Sequence, residues 1–246
     1  MANWSDPWAT AARPTSIGTR EAAYDAGLRS YMLSVYNYMT SGVLLTGIVA
    51  MLFARGGMES PAAQLLINGG PLRWVVMLAP LGVVMWLSFG INRISDTTAK
   101  ALFWTYAVLM GLSLSTVLLV YTGASVAQTF FATAAAFAGL SLWGYTTKKD
   151  LSGFGTFLIM GVVGLLVASV LNMFMRSTGL DLAISFIGVL LFAGLTAYDT
   201  QKIKSMYFHV QGSDFAAKSV IMGALQLYLD FINMFLFLLR FMGDRR

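Results

Sequence analysis

At 246 residues, with 57% apolar, 11% charged and a mean hydropathy of +0.71, the chain is too poor in charge for a water-soluble domain, where about a quarter of residues are charged. Its net charge of +5 is scattered over short polar stretches and forms no basic module, so nucleic acid is not an expected partner. The lack of cysteine excludes disulfides, thiolate metal sites and a cysteine nucleophile.

The composition is that of an all-α polytopic membrane protein whose solvent is the lipid bilayer. Residues 1–28 are polar and lack the apolar core of a secretory signal; they are read as a cytoplasmic N-terminal tail, and 29–246 as a transmembrane domain. Charge-free gaps give the span count, since crossing the hydrocarbon takes about 20 apolar residues. Arg29 to Arg55 encloses 25 uncharged residues and Arg73 to Arg93 encloses 19, one span each. Lys100 to Lys148 encloses 47, room for two helices joined by a tight turn at Tyr121, Thr122 and Gly123. Asp150 to Arg176 holds a fifth. Leu182 to Tyr198 is the sixth and is expected to end against Asp199, leaving a polar connection with Lys202, Lys204 and His209. The seventh lies between Lys218 and Arg240. Ten lysines and arginines fall on the N-terminal side of these seven spans and six on the other, which puts the N-terminus in the cytoplasm. Gly42, Gly47, Gly139, Gly144, Gly161, Gly164, Gly188 and Gly194 lie within spans, where small residues let helices approach.

Two acids stand where acids are costly. Asp230 has eleven uncharged residues before it and nine after, and a charge at mid-bilayer costs about 2.5–3.5 kcal/mol even on the lenient scale. It shares a stripe of the seventh helix with Ser219, Gly223, Gln226, Asn233 and Arg240, in steps of three and four. The rest of that helix is apolar almost all round, so it belongs at the centre with its polar seam facing other helices or a cleft. Gln226 and Asn233 either line that cleft or serve as interhelical hydrogen-bond glue. Asp199, near the inner end of the sixth helix, either pairs with Lys202 or Lys204 at the interface or meets Asp230, because the sixth helix descends to the side from which the seventh rises. Two carboxylates about 4 Å apart repel by roughly 4 kcal/mol at an effective dielectric of 20, so such a pair is expected to share one proton and titrate as a unit. Arg93, ending the second span on the same side, either bridges Asp96 or enters the core. His209 has no assigned role.

The runs Leu28-Arg29-Ser30-Tyr31 through Val35-Tyr36 and Gly42, Met110-Gly111-Leu112-Ser113-Leu114-Ser115, Ala197-Tyr198-Asp199-Thr200-Gln201-Lys202-Ile203 and Leu227-Tyr228-Leu229-Asp230-Phe231-Ile232-Asn233 together resemble the Bax inhibitor-1 family, also called the transmembrane Bax inhibitor motif family, in its bacterial branch. The resemblance implies seven helices, with two three-helix layers around a central C-terminal helix, in the inner membrane. It implies an aspartate pair acting as a pH sensor with a second-helix arginine as partner, which by position are Asp199, Asp230 and Arg93. The implied activity is a pH-sensitive calcium leak.

Calcium takes six to eight oxygen ligands, and a seam of two carboxylates, two amides and hydroxyls suits weak transit at Asp199 and Asp230 better than a high-affinity site. No nucleotide signature accompanies it, so active pumping has no visible engine, and no cofactor is implied. Two alternatives are carried. One is a partner of a membrane quality-control protease, with the tail as handle. The other, more remote, is intramembrane aspartyl proteolysis, against which stands the bulky Leu227-Tyr228-Leu229 before the second acid. The protein is therefore expected not to be an enzyme. A retinal scaffold lacks its mid-membrane lysine in the seventh helix.

Overall fold

A computed structural model describes the backbone of residues 16–246, with side chains from 24 onward. The N-terminal half of the segment read as a tail, residues 1–15, lies outside the described residues. Helix α1 spans Ser16–Phe53, so it begins well before the first charge-free gap. A 3-10 turn (Gly57–Glu59) and a short helix α2 (Pro61–Asn68) follow. Neither is expected from hydropathy alone. The Ser60 hydroxyl accepts the Ala63 N–H at the start of α2, where Pro61 occupies a position that needs no amide. Then come α3 (Pro71–Gly90), α4 (Asp96–Val120), α5 (Gly123–Thr146), α6 (Ser152–Met175), α7 (Thr178–Val210) and α8 (Ala216–Met242). Seven of these, all but α2, are long and apolar enough to cross a membrane.

The turn foreseen at Tyr121, Thr122 and Gly123 separates α4 from α5, with the Thr122 hydroxyl capping α5 through the Ser125 N–H. The sixth span requires a correction. It does not stop at Asp199 but continues to Val210, eleven residues further, and His209 lies in its last turn and not in a loop. Ile203, Tyr207 and Val210 recur at helical spacing and are buried, so an apolar stripe carries α7 through the charged run. Tyr207 packs on Tyr24 and Tyr31 of α1, with ring centroids 5.3 and 5.4 Å apart. The chain reverses instead at Gly212, whose φ of +76° is the left-handed conformation that glycine adopts freely. The connection to α8 is thus only a few residues long.

One layer is formed by α1, α3 and α4, the other by α5, α6 and α7, and α8 packs against α1, α4, α5 and α7. The apolar window of α8 is 61% buried, against 11% for α3 and 17% for α6. The most enclosed helix is therefore the one that carries the polar seam. The spans facing outward are apolar there, with Phe157, Met160 and Phe174 of α6 exposed, as a lipid solvent requires. Gly42, Gly144, Gly161, Gly188 and Gly194 sit at close helix contacts, as expected, whereas Gly47, Gly139 and Gly164 face open space.

Candidate functional site

Four residues of the polar seam of α8, Gly223, Gln226, Asp230 and Arg240, meet α7, whereas Ser219 faces Tyr31 of α1. Gly223 lies against Ile203, Gln226 approaches Asp199, and Arg240 reaches Asp181 at the far end of α7 with N···O of 3.6 Å. Between these, Asp230 and Asp199 lie within hydrogen-bonding reach of each other. Both are buried, at 4% and 3% exposure. Asp199 Oδ1 and Asp230 Oδ2 have no conventional hydrogen-bond partner, and the groups nearest them are the other carboxyl and the Gln226 amide.

The pair is buried by the packing of α7 and α8 on each other and on α1 and α5, and it lies far from the ends of both helices. Asp230 is 14 residues from the start of α8 and 12 from its end, about 20 Å from either at 1.5 Å per residue. Asp199 is about 32 Å along α7 and has a further 17 Å of helix beyond it. The cation whose field reaches both carboxyls is Lys202, one turn along α7, with its ammonium 5.9 Å from the centre of the Tyr198 ring. Lys204, its rival from the sequence, is engaged elsewhere, donating to the Tyr145 carbonyl at 2.8 Å. Arg93 is exposed in the turn after α3, beside Trp86 and Phe89, and is not among the charges next to the pair. Asn233 donates to the Leu229 carbonyl of its own helix at 2.8 Å. Among the described residues there is no group of three or more His, Cys, Asp or Glu able to hold a metal ion.

Two hydroxyl clusters were not singled out by the sequence. The Tyr36 hydroxyl lies 2.6 Å from Ser141 Oγ, which lies 2.8 Å from Thr200 Oγ1, joining α1, α5 and α7 beside Asp199. Thr200 donates in turn to the Thr196 carbonyl at 2.7 Å. In the other cluster Thr46 donates to the Ala107 carbonyl at 2.8 Å and meets the Tyr228 hydroxyl at 2.6 Å. The signal available was a hydroxyl inside each of several apolar spans, which names no partner.

Residues 28–246 match the family model described as inhibitor of apoptosis-promoting Bax1. The chain belongs to the Bax inhibitor-1 family. Among its relatives are an uncharacterized protein of Caulobacter vibrioides, 47% identical over 96% of each chain. An uncharacterized protein of Rickettsia prowazekii is 46% identical over 93% of this chain and 95% of its own. The inner membrane protein YbhL of Escherichia coli is 46% identical over 90% of this chain and 94% of its own. The match begins at Leu28, where the motifs that resemble the Bax inhibitor-1 family also begin, and includes both aspartates. The protein is a multi-pass membrane protein of this family.

Proposed function

We propose that the protein is a passive, proton-gated cation leak in a bacterial inner membrane, with Asp199 and Asp230 as its proton sensor and calcium as the cation in transit. The observation that carries this reading is the buried meeting of the two carboxyls from adjacent helices, each leaving an oxygen without a conventional partner. With one shared proton the pair ties α7 to α8; with none, like charges oppose each other in a low-dielectric setting and loosen the contact. Two cavities, of 710 and 660 Å³, lie between α1 and α5, and neither reaches the pair, so the conformation described is read as shut. Gln226 is the seam residue placed to meet a cation arriving at Asp199, and Asn233 continues the seam beyond it.

Arg93 enters this scheme through movement. It follows α3, the least buried span, which contains Pro80, and a swing of that helix would bring a cation toward the pair. The N-terminus is assigned to the cytoplasm by the ten-to-six distribution of basic residues. The inner-membrane location follows that of the Escherichia coli relative, an inner membrane protein. The test is calcium flux from liposomes over a pH series. Asp199→Asn and Asp230→Asn are each expected to flatten the pH profile, and profiles matching the unmodified protein would reject the sensor.

A further inference from the structure

The two cavities lie end to end in one fissure whose floor is α8. The fissure exists because α1 packs on α4 and α8, α5 packs on α7 and α8, and α1 and α5 scarcely meet. One chamber opens beside Arg29 and Tyr145; the other runs to Ala54 and Arg246. From Arg29 to Ala54 is about 37 Å along α1 at 1.5 Å per residue, which exceeds the hydrocarbon thickness of roughly 30 Å. Val43, Leu44, Phe130 and Phe231 line both chambers and so stand where they adjoin, and Phe231 contacts Phe130 and Phe137, each with ring centroids 5.6 Å away. Each chamber is therefore about one leaflet deep.

The walls are suited to an apolar occupant. Most of their hydroxyls are already committed, Tyr36 and Ser141 to each other and Thr46 to Tyr228 and the Ala107 carbonyl, which leaves Thr40, 3.9 Å from the Met39 sulfur, and the Tyr145 hydroxyl at the mouth. These are too few oxygens to replace the hydration of an ion. Leu33 and Leu44 at the rim are more than half exposed, so the opening faces sideways into lipid. A neighbouring transmembrane helix, at least 10 Å across, needs a continuous groove, and the side chains shared by the two chambers, with Leu44 outermost, interrupt this one. A single chain of methylenes needs only one chamber. The mouth near Arg29 carries more basic than acidic charge: Arg29 makes no ion pair among the described residues, Lys204 lies over the Tyr145 ring at 4.8 Å while donating to the Tyr145 carbonyl, and Asp25 is the acid one turn before Arg29.

We propose that the chamber on the Arg29 side is a binding site for one acyl chain of an anionic phospholipid, with the phosphate held at the mouth by Arg29 while Lys204, still bonded to the Tyr145 carbonyl, adds positive charge alongside. The seated chain ends against Phe231, the residue after Asp230, which gives the bilayer a contact on the helix that carries the polar seam. This site stands whether or not the protein conducts ions.

The test uses the purified full chain in detergent with phosphatidylglycerol or phosphatidylcholine, read by native mass spectrometry, together with a phosphatidylglycerol carrying a photoreactive acyl chain. One retained phosphatidylglycerol and crosslinks confined to α1, α5 and Phe231 are expected. Ala138→Trp, which fills the chamber, should remove the bound lipid, whereas Ala136→Trp, outside the fissure on the same helix, should not. Arg29→Gln should lower the preference for phosphatidylglycerol by about fivefold, the worth of one basic residue against anionic lipid. Crosslinks spread over α3 and α6, equal retention of both lipids, full retention in Ala138→Trp, or a lipid-free dimer closed over the fissure would each overturn the proposal. Because the crosslinking is done on the unmodified chain, a variant that fails to fold does not leave the question open.

Discussion

Gly144 of α5 lies against the main chain of Ala197 in α7, so closely that any side chain at position 144 would overlap the Ala197 carbonyl. Ala197 precedes Asp199 by two residues, so this contact sets how deeply α7 sits between α5 and α8. Gly144→Val is expected to force the helices apart and to lower stability by about 1–3 kcal/mol, the usual range for overpacking. Gly139→Val, on the same helix but facing open space, is expected to leave the midpoint unchanged. Thermal unfolding of both variants in detergent checks this, and equal midpoints would show that the close approach does not exist in the protein.

The pair at Asp199 and Asp230 predicts non-additive behaviour. Each single change to asparagine alters the surroundings of the remaining carboxyl, while the double change removes both. The interaction energy from a double-mutant cycle on thermal stability is expected at about 0.5–3 kcal/mol, as found for residues in direct contact. A value indistinguishable from zero would place the two side chains apart in solution.

Thr46 and Tyr228 offer an asymmetric comparison. Because Thr46 donates to the Ala107 carbonyl, the proton between it and Tyr228 comes from the tyrosine, a fully buried residue. Thr46→Val strands that hydroxyl and is expected to cost about 1–3 kcal/mol; Tyr228→Phe leaves Thr46 bonded to Ala107 and is expected to cost nearer 1 kcal/mol. The order of the two melting temperatures is the readout. A reversed order would mean that Thr46 donates to Tyr228.

Much of the fold was legible because membrane insertion is written locally. A helix that crosses lipid satisfies its backbone internally, so length and charge-free composition name it without reference to any neighbour. The break at Tyr121 to Gly123 and the central place of the last helix could be read this way, the latter from a helix apolar all round with one polar stripe. The end of α7 could not. Charges at Asp199, Lys202 and Lys204 look like a helix leaving the bilayer, yet Ile203 and Tyr207, one and two turns beyond Asp199 on the same buried face, find cover on α8 and α1 and extend it to Val210.

The sequence by itself determined how many times the chain crosses the membrane and that two acids lie on consecutive helices. Only the tertiary structure decided which faces meet: that Asp199 points at Asp230 with Lys202 nearby, that Asn233 turns to its own helix, and that α1 and α5 part to leave a fissure. The physical reason is that hydropathy is a property of single residues summed along a segment. A side chain's partner, by contrast, is set by the rotation and depth at which whole helices pack, which depend on contacts such as that of Gly144 with Ala197, far apart in the chain.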